Sequence, residues 1–347
     1  MAYSVAPINP IPLSDLEDLS HMVTDTFGRQ HSYLRISLTE RCNLRCTYCM
    51  PAEGVQLRPK PEILTFEEII RLANLFARLG VTKIRLTGGE PLIRKDIEHL
   101  VFELHKIDGI KTLAITTNGL LLPKKLQALK TAGISVFNIS LDTLRKDRFR
   151  EITLRDGFDI VIKAIQMTLD AGYDPVKINC VVQKGVNEDE LLDFVEWTHH
   201  RSIDVRFIEY MPFGGNGWDD SQFLPYQSML THIQEAYPTL ERRNDDPNHT
   251  SKSWRVPGYK GSLGFISSMS QNFCGTCNRL RLTADGNLRV CLFGANEVSL
   301  RDALRARATD AELMSLVEGA IHRKKASHAG MYEISKTVDR PMILIGG

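Results

Sequence analysis

The sequence predicts an α/β protein built on a single parallel sheet and followed by a smaller α+β domain. Two observations lead to this fold class. Short β-rich runs alternate with amphipathic helical segments six times between residues 31 and 244, and serial β-α units form parallel sheets with right-handed crossovers. Near residue 244 the composition changes, because a polar, turn-rich stretch precedes short β segments and two helices.

Six strands are predicted from runs rich in β-branched and aromatic residues. They are Tyr33–Leu38, Lys83–Leu86, Thr112–Thr116, Val136–Ser140, Val176–Val182 and Val205–Glu209. Helices are predicted between them, at 65–80, Lys95–Lys106, Lys124–Thr131, Phe158–Ala171 and Glu188–His199. The first helix has the clearest signals, because Thr65 and Glu68 form a capping-box pattern and Gly80 ends the periodic segment. Six units are fewer than the eight of a closed barrel, so a curved, incomplete barrel and a flat doubly wound sheet both remain possible.

Three segments are predicted along the chain. Residues 1–30 contain three prolines without clear periodicity and are expected to form an extended N-terminal arm. Residues 31–244 carry the β-α units, and residues 245–347 form the C-terminal domain, which ends in Gly346-Gly347. The elements expected in that domain are strands at Leu280–Thr283 and Asn287–Val290 and helices at Leu300–Ala308 and Asp310–His322.

The composition excludes several classes of protein. The chain has 347 residues, 43% of them hydrophobic and 24% charged, with a net charge of +1, which argues against bulk nucleic-acid or membrane-surface binding. No apolar run approaches the roughly 20 residues of a membrane helix, and the acidic first 30 residues do not resemble a signal peptide. The seven cysteines are odd in number and six fall into two triads, which predicts reduced, metal-binding thiols in the cytoplasm.

The first triad, Cys42, Cys46 and Cys49, follows the first predicted strand with the spacing C-x3-C-x2-C. Three thiolates can hold a [4Fe–4S] cluster and leave one iron open for another ligand, and thiolates are soft ligands that suit iron–sulfur chemistry. A structural zinc site would need a fourth, distant ligand, and this alternative stays open on spacing alone.

With Tyr48 directly before its third cysteine, this motif resembles the signature of radical S-adenosylmethionine (SAM) enzymes. The resemblance implies an incomplete barrel of six β-α units. It also implies a cluster whose electron cleaves SAM to a 5′-deoxyadenosyl radical. By the same resemblance, the expected SAM contacts are Tyr48, Gly89 in Gly88-Gly89-Glu90-Pro91, Ser140 at the end of the fourth strand, and Met211.

The second triad, Cys274, Cys277 and Cys291, has the spacing C-x2-C-x13-C. A zinc ribbon would need two C-x2-C pairs, so a second cluster with an open iron is favoured, and an open iron can bind a substrate. Arg279 and Arg281 alternate along the predicted strand and share one face, where two guanidiniums suit bidentate binding of phosphate.

Basic residues also lie within the predicted barrel strands, where apolar runs are usual. They are Arg35, Arg85, Lys177 and Arg206. Buried charges of one sign are costly unless they converge on a ligand of opposite charge, so we expect a multiply charged anion such as a nucleoside triphosphate.

The two triads, the Arg-x-Arg segment and the Gly-Gly terminus together resemble the GTP 3′,8-cyclase family of molybdenum cofactor biosynthesis, from about Tyr33 to Gly347. This resemblance implies a lyase that converts GTP to 3′,8-cyclo-7,8-dihydro-GTP, through abstraction of the C3′ hydrogen and attack on C8. No catalytic side chain beyond the cluster ligands is assigned. The implied GTP contacts are Arg35, Arg85, Thr116, Lys177, Arg279, Leu280 and Arg281, with Arg206 and the tail Gly346-Gly347 as further candidates.

The resemblance also implies partners. They are an electron donor of the flavodoxin or ferredoxin type and a downstream cyclic pyranopterin monophosphate synthase; a homodimer is possible. Two alternatives remain at the level of sequence. One is another radical SAM enzyme with an auxiliary cluster, and the other is a metal-stabilised module without catalytic activity.

Overall fold

The structure, a computed structural model, describes residues 19–337 and 340–346. Within these ranges twelve strands form one sheet. The strands are β1 (Tyr33–Ser37), β2 (Lys83–Thr87), β3 (Thr112–Thr117), β4 (Val136–Ser140), β5 (Val176–Val182), β6 (Ile203–Glu209), β7 (Glu241–Arg242), β8 (Lys252–Arg255), β9 (Ser262–Ile266), β10 (Arg279–Leu282), β11 (Asn287–Arg289) and β12 (Glu297–Ser299).

The helices of the described residues pack around this sheet. They are α1 (Phe66–Arg78), α2 (Ile97–His105), α3 (Leu122–Ala132), α4 (Lys146–Thr153), α5 (Phe158–Asp170), α6 (Leu191–Trp197), α7 (Tyr226–Ala236), α8 (Leu300–Arg305), α9 (Asp310–His322), α10 (Met331–Thr337) and α11 (Met342–Ile345). None of the helices in the described ranges is long and apolar enough to cross a membrane.

Strands β1 to β6 lie side by side in chain order and are all parallel, which confirms the six predicted strands. The sheet is curved, since Lys177 on β5 interacts electrostatically with Lys83 and Arg85 on β2 although two strands separate them in the sheet. The incomplete barrel is therefore confirmed, and a flat doubly wound sheet is wrong.

Helix α1 illustrates how the local sequence sets an element. The Thr65 hydroxyl accepts from the backbone N–H of Glu68, and the Glu68 carboxylate accepts from the backbone N–H of Thr65, so the predicted capping box is present. Its apolar face buries Ile69, Leu72 and Phe76 against the sheet. Helices α4 and α7, by contrast, lie where no helix is predicted.

The chain beyond residue 244 extends the sheet at both edges of the barrel. Strand β9 pairs in parallel with β6, and β10 pairs in parallel with β1, so the order is β12-β11-β10-β1-β2-β3-β4-β5-β6-β9-β8-β7. The turn-rich stretch 244–251 joins β7 to β8, which are antiparallel. The domain division at residue 244 thus falls in a hairpin of the common sheet, and it stays a prediction.

The N-terminal segment differs from the expected extended arm in its described part, while residues 1–18 lie outside the described ranges. A 3-10 turn, Leu19–Val23, packs against α9, and Val23 is fully buried. Arg29 donates from Nη1 to the carbonyl oxygens of Cys274 (2.6 Å) and Ala326 (2.7 Å). The expectation of an extended arm is therefore wrong for residues 19–30, which are held both by packing on α9 and by polar contacts with the C-terminal part of the chain.

Candidate active site

The first cysteine triad lies in a loop that leaves the carboxyl end of β1. Two backbone hydrogen bonds pin this loop to the end of α4, from the N–H of Arg45 to Thr153 O (2.9 Å) and from the N–H of Thr47 to Ile152 O (3.0 Å). The Cys42 sulfur accepts from the backbone N–H of Leu44 at 3.4 Å. Active sites of parallel barrels lie at the carboxyl ends of the strands, and this loop occupies that end.

A cavity of about 120 Å³ opens beside the loop, at the carboxyl ends of β1 to β4. Its lining includes residues that were predicted from sequence as cluster ligands, SAM contacts or GTP contacts: Cys42, Cys46, Cys49, Tyr48, Gly89, Ser140 and Thr116. Met211 is not part of this lining. Its carbonyl oxygen accepts from Asn216 Nδ2 at 3.0 Å, and the same amide donates to the carbonyl oxygen of Tyr48. The Asn216 side chain therefore bridges Met211 and the cysteine loop.

The glycine loop after β2 packs directly on the cysteine loop. The N–H of Gly89 donates to Thr39 O and the N–H of Glu90 donates to Arg41 O, both at 2.7 Å. A Cβ atom on Gly89 would lie 2.2 Å from the carbonyl oxygen of Arg41, so only glycine permits this approach. Gly88 also requires glycine, because its φ is 148°.

Two buried carboxylates that the sequence analysis did not single out support the cavity. Glu90 accepts from Thr117 Oγ1 (2.8 Å) and from the N–H of Asn118 (2.7 Å), which joins the ends of β2 and β3. Asp142 accepts from the Tyr48 hydroxyl at 2.9 Å, and burial raises the pKa of Asp142 to about 6. Each carboxylate lies a few residues beyond the end of a predicted strand, Glu90 after Leu86 and Asp142 after Ser140, and this position is the signal in the sequence.

The donor set fits an iron–sulfur cluster. All seven cysteines are free thiols, and burial raises the pKa of Cys46 well above its usual range and that of Cys49 to about 12. Such thiols ionise when a metal replaces the proton, and thiolate is the ligand that iron–sulfur clusters use. Within the described ranges, no three His, Cys, Asp or Glu side chains form a group that could hold a metal ion. The cluster assignment therefore rests on donor chemistry and motif.

Sheet register assembles the basic residues into rows. Arg35 on β1 pairs with Arg85 on β2 and with Arg281 on β10, and Arg281 pairs with Arg289 on β11. Four arginines thus lie at one level across four strands, and we call them the arginine row. One level below, Tyr33 on β1 pairs with Lys83 and with Arg279. Tyr33 and Lys83 were not predicted as site residues, because their proximity follows only from the register.

The electrostatics of the barrel interior reflect this excess of positive charge. Burial, opposed by Tyr33 and reinforced by Arg85, lowers the pKa of Arg35 to about 10. Burial and the charge of Arg206 lower the pKa of Lys177 to about 8. The pKa of the Tyr33 phenol is also lowered, which favours its charged form. Burial alone would raise this pKa, but the positive charges of Arg85, Arg35 and Lys83 lower it to about 7. An anionic ligand would relieve all of these shifts.

Not every predicted GTP contact points into this basic interior. The Leu280 side chain packs in the hydrophobic core, on the opposite face of β10 from Arg279 and Arg281, which differs from the expected contact. Arg206 does lie near Lys177, whose pKa it lowers, but its guanidinium is paired with Asp204 at 2.7 Å. Thr116 links the two regions, because it lines the cavity and its hydroxyl accepts from Arg85 Nη1 at 3.2 Å.

The C-terminal tail closes against the same end of the barrel. Met342 and Ile343 of α11 line the cavity. Gly346 lies against β1 and β2, where an added Cβ would approach Ser37 Cβ to 2.9 Å and Thr87 Oγ1 to 3.1 Å. Gly346 thus lies at this end of the barrel, its role in the site stays a prediction, and Gly347 lies outside the described residues.

The second triad lies at the opposite end of the neighbouring strand. Cys274 and Cys277 directly precede β10, and Cys291 follows β11, which runs back towards the start of β10. Burial alone would raise the pKa of Cys277, but the charges of Arg279 and Lys324 lower it to about 7. Because β1 and β10 are parallel, the arginine row lies between this triad and the loop of Cys42, Cys46 and Cys49.

Two family models match nearly the whole barrel and its extensions. The model of the radical SAM superfamily matches residues 36–198, and the model named Molybdenum Cofactor Synthesis C matches residues 203–330. Among solved structures, Streptococcus suis SuiB bound to S-adenosylmethionine aligns with a TM-score of 0.57 at 16% identity, over 82% of this chain and 67% of that chain. Native anSMEcpe with bound AdoMet aligns with a TM-score of 0.57 at 18% identity, over 88% and 84%. At these identities the likeness concerns the fold alone.

Closely similar curated proteins narrow the family. "GTP 3′,8-cyclase, mitochondrial" of Arabidopsis thaliana is 53% identical over 100% of this chain and 87% of its own length. "GTP 3′,8-cyclase" of Moorella thermoacetica is 45% identical over 88% of this chain and 94% of its own length. "Molybdenum cofactor biosynthesis protein 1" of Dictyostelium discoideum is 55% identical, but the chain spans only about half (54%) of it. The chain described here therefore belongs to the GTP 3′,8-cyclase family of radical SAM enzymes.

Proposed function

We propose that this protein is a GTP 3′,8-cyclase, which forms a carbon–carbon bond between C3′ of the ribose and C8 of the guanine of GTP. The product would be 3′,8-cyclo-7,8-dihydro-GTP, the first intermediate of molybdenum cofactor biosynthesis. The observation that carries the proposal is the arginine row, which lies between two cysteine triads in a chain whose relatives bear this name.

The first triad would hold a [4Fe–4S] cluster, and SAM would bind in the adjoining cavity with Tyr48, Gly89 and Ser140. When bound, the cluster and SAM would supply the radical chemistry that removes a hydrogen atom from the substrate. The protein's part is to fix the geometry. The Tyr48 hydroxyl is anchored on Asp142, and Met211 remains a candidate contact near the same loop through Asn216.

Three members of the arginine row, Arg35, Arg85 and Arg281, would bind the triphosphate together with Lys83, Arg279 and Lys177. The fourth member, Arg289, is ion-paired with Glu297 and also donates to the carbonyl oxygen of Leu292 at 3.4 Å. Neighbouring strands are about 4.8 Å apart, so the guanidiniums form a regular series that can donate paired hydrogen bonds to successive phosphate oxygens. Arg85 contacts both Tyr33 and Thr116, and Thr116 lines the SAM cavity. This contact supports a nucleotide held within reach of SAM, which makes the reaction effectively intramolecular.

The second triad would hold a second [4Fe–4S] cluster, with the guanine base bound at its open iron. Support comes from the three thiols without a fourth cysteine and from the position of the triad at the other end of the arginine row. Gly346 and Gly347 would form part of the wall around the bound substrates. The proposal also includes two partners, an electron donor of the flavodoxin or ferredoxin type and a downstream cyclic pyranopterin monophosphate synthase. It further includes a homodimer and a cytoplasmic location.

Anaerobic reconstitution tests the proposal. We expect about eight irons per chain, and release of 5′-deoxyadenosine that requires both SAM and GTP. GDP should be a poor substitute, because it removes one phosphate from the basic interior, and ATP tests the contribution of the base. A chain that binds one zinc, or that cleaves SAM equally without a nucleotide, would refute the assignment. SAM cleavage supported by a peptide instead of GTP would favour another radical SAM enzyme.

A further inference from the structure

Lys324, which follows the end of α9, is a buried ammonium group beside the second triad. Its side chain is 6% exposed, and its Nζ lies 3.4 Å from the Cys277 sulfur and 3.4 Å from the carbonyl oxygen of Arg279. The third neighbour is His31 Nε2, at 2.8 Å. An ammonium has three N–H donors, so each has an acceptor, and one of those acceptors is a proposed cluster ligand.

His31 is oriented by the N-terminal segment so that it can only accept this hydrogen bond. It is fully buried, and its Nδ1 lies 2.9 Å from the carbonyl oxygen of Val23. A carbonyl oxygen cannot donate, so Nδ1 carries the proton and Nε2 presents its lone pair to Lys324. The imidazole therefore aims the ammonium at Cys277 and does not compete for its charge.

The charges around Lys324 leave sulfur as its counter-charge. The nearby carboxylate is that of Asp25, whose Oδ2 lies 3.7 Å from His31 Nε2. That oxygen is engaged by Arg29 Nε at 2.6 Å, and Asp25 Oδ1 accepts from the N–H of Arg29 at 3.0 Å. A buried cation needs an anion nearby, and Cys277 is the one that Lys324 contacts.

We infer that Lys324 is a positioning residue of the second iron–sulfur centre, which holds Cys277 as a ligand and raises the reduction potential of that centre. The inference rests on the proposed function, since it requires the second cluster. Hydrogen bonds to the sulfurs and net charge set cluster potentials, and outer partners of metal ligands orient those ligands. A nearby positive charge favours the reduced, more negative state of the cluster.

The first triad has a different surrounding, which makes the inference specific. The sulfur of Cys42 accepts from two neutral donors, the N–H of Leu44 at 3.4 Å and Asn118 Nδ2 at 3.8 Å. The sulfur of Cys49 accepts from the backbone N–H of Ile343. Among the described residues, the second triad is instead surrounded by cationic side chains, with Arg279 and Lys324 beside Cys277 and His328 beside Cys274. Lys324 belongs only to this second surrounding, so its removal should affect only the second centre.

The test compares Lys324→Met with the matched control Lys325→Met in the full chain after anaerobic reconstitution. Lys325 is the next residue and its side chain is exposed. Redox titration followed by electron paramagnetic resonance measures each cluster without substrate. Lys324→Met should lower the potential of the second cluster by at least about 59 mV, a tenfold change in its one-electron equilibrium. The potential of the second cluster in Lys324→Arg should lie close to that of the wild type. His31→Leu should lower this potential by a smaller amount, and Lys325→Met should leave it unchanged.

The other outcomes also decide the matter. If Lys324→Met loses the second cluster while Lys324→Arg keeps it, the role in holding Cys277 is supported. An unchanged potential with full iron content would overturn the inference, and so would equal loss of the cluster from the Met and Arg variants, which would indicate packing alone. If the wild-type chain binds only the first cluster, the second centre itself fails, and iron analysis of the wild type separates that result from the others.

Discussion

Replacement of Gly89 by alanine should damage the SAM site through a backbone clash. The added Cβ would lie 2.2 Å from the carbonyl oxygen and 2.6 Å from the carbonyl carbon of Arg41, whereas real Cβ atoms essentially never approach within 3.0 Å. Both contacts are with backbone, so no side chain can rotate away. The cysteine loop would have to retreat by about 1 Å, a displacement that can reduce catalysis by about 10²-fold.

The free-energy cost can be worked from the contacts around this clash. Overpacking of a tight site costs about 1–3 kcal/mol. The hydrogen bond from the N–H of Glu90 to Arg41 O, which is 2.7 Å long, would stretch or break, at a cost of about 0.5–1.5 kcal/mol. The total of about 1.5–4.5 kcal/mol lies below the 5–15 kcal/mol of a typical domain, so the chain should still fold. The strain falls on the residue that precedes Cys42.

Three measurements check this prediction. Denaturant unfolding of the apo chain should show the loss of stability, iron analysis should show partial loss of the first cluster, and equilibrium binding should show SAM affinity reduced at least tenfold. Gly330→Ala is the control, because a Cβ at that position meets no atom within 4 Å. A Gly89→Ala chain with wild-type stability and SAM affinity would refute the reasoning.

Three further predictions follow from the charges and thiols. Arg281→Ala should leave both clusters intact and raise the KM for GTP at least tenfold, because a central guanidinium of the arginine row is lost. Replacement of the exposed Arg150 by alanine is the control. Unchanged turnover at low GTP would contradict the phosphate role of Arg281. Cys274→Ser should remove the second cluster and preserve SAM binding, and loss of both would show that the sites are coupled. Burial and the charge of Lys324 lower the pKa of His31 from 6.5 to about 4, with Asp25 opposing and Arg29 reinforcing the shift. The unfolded histidine therefore binds a proton more tightly, and the unfolding free energy of the apo chain should fall by up to about 3 kcal/mol as the pH decreases from about 6.5 to 4; a His31→Leu chain with the same pH dependence would contradict this assignment.

The sequence predicts the barrel strands well because apolar residues occupy every second position on their outward faces, as Val176, Ile178, Cys180 and Val182 do in β5. It does not reveal α4, since Lys146–Thr153 buries only Phe149, Ile152 and Thr153 and is otherwise polar. Helix α7 has Tyr226, Met229, Leu230 and Ile233 on one buried face, a spacing that a closer reading of the periodicity could have recognised. Boundaries shift by one to three residues where caps, and not periodicity, end the helices.

The candidate site divides in the same way. The cysteines, Tyr48 and Gly89 are recognisable from local spacing, because chemistry and chain geometry constrain them within a few residues. The arginine row is not local, since Arg35, Arg85 and Arg281 meet only through strand register. His31 and Lys324 are 293 residues apart, and their contact depends on how the N-terminal segment packs on α9. Long-range pairings of this kind leave no periodic signal in the sequence.

The incomplete barrel explains why the C-terminal part of the chain contributes to the site. Six parallel strands leave β1 and β6 with unpaired edges, and exposed edges are a liability that proteins cover. Strand β10 covers β1 and brings Arg279 and Arg281 beside Tyr33 and Arg35, while β9 covers β6. A slip of one residue between β1 and β10 would turn Arg279 and Arg281 into the hydrophobic core between the sheet and the helices. It would also turn Leu280 into the basic interior of the barrel. The pairing that closes the edge therefore also sets the charge of the interior, so the second triad cannot be separated from the barrel without removing half of the arginine row.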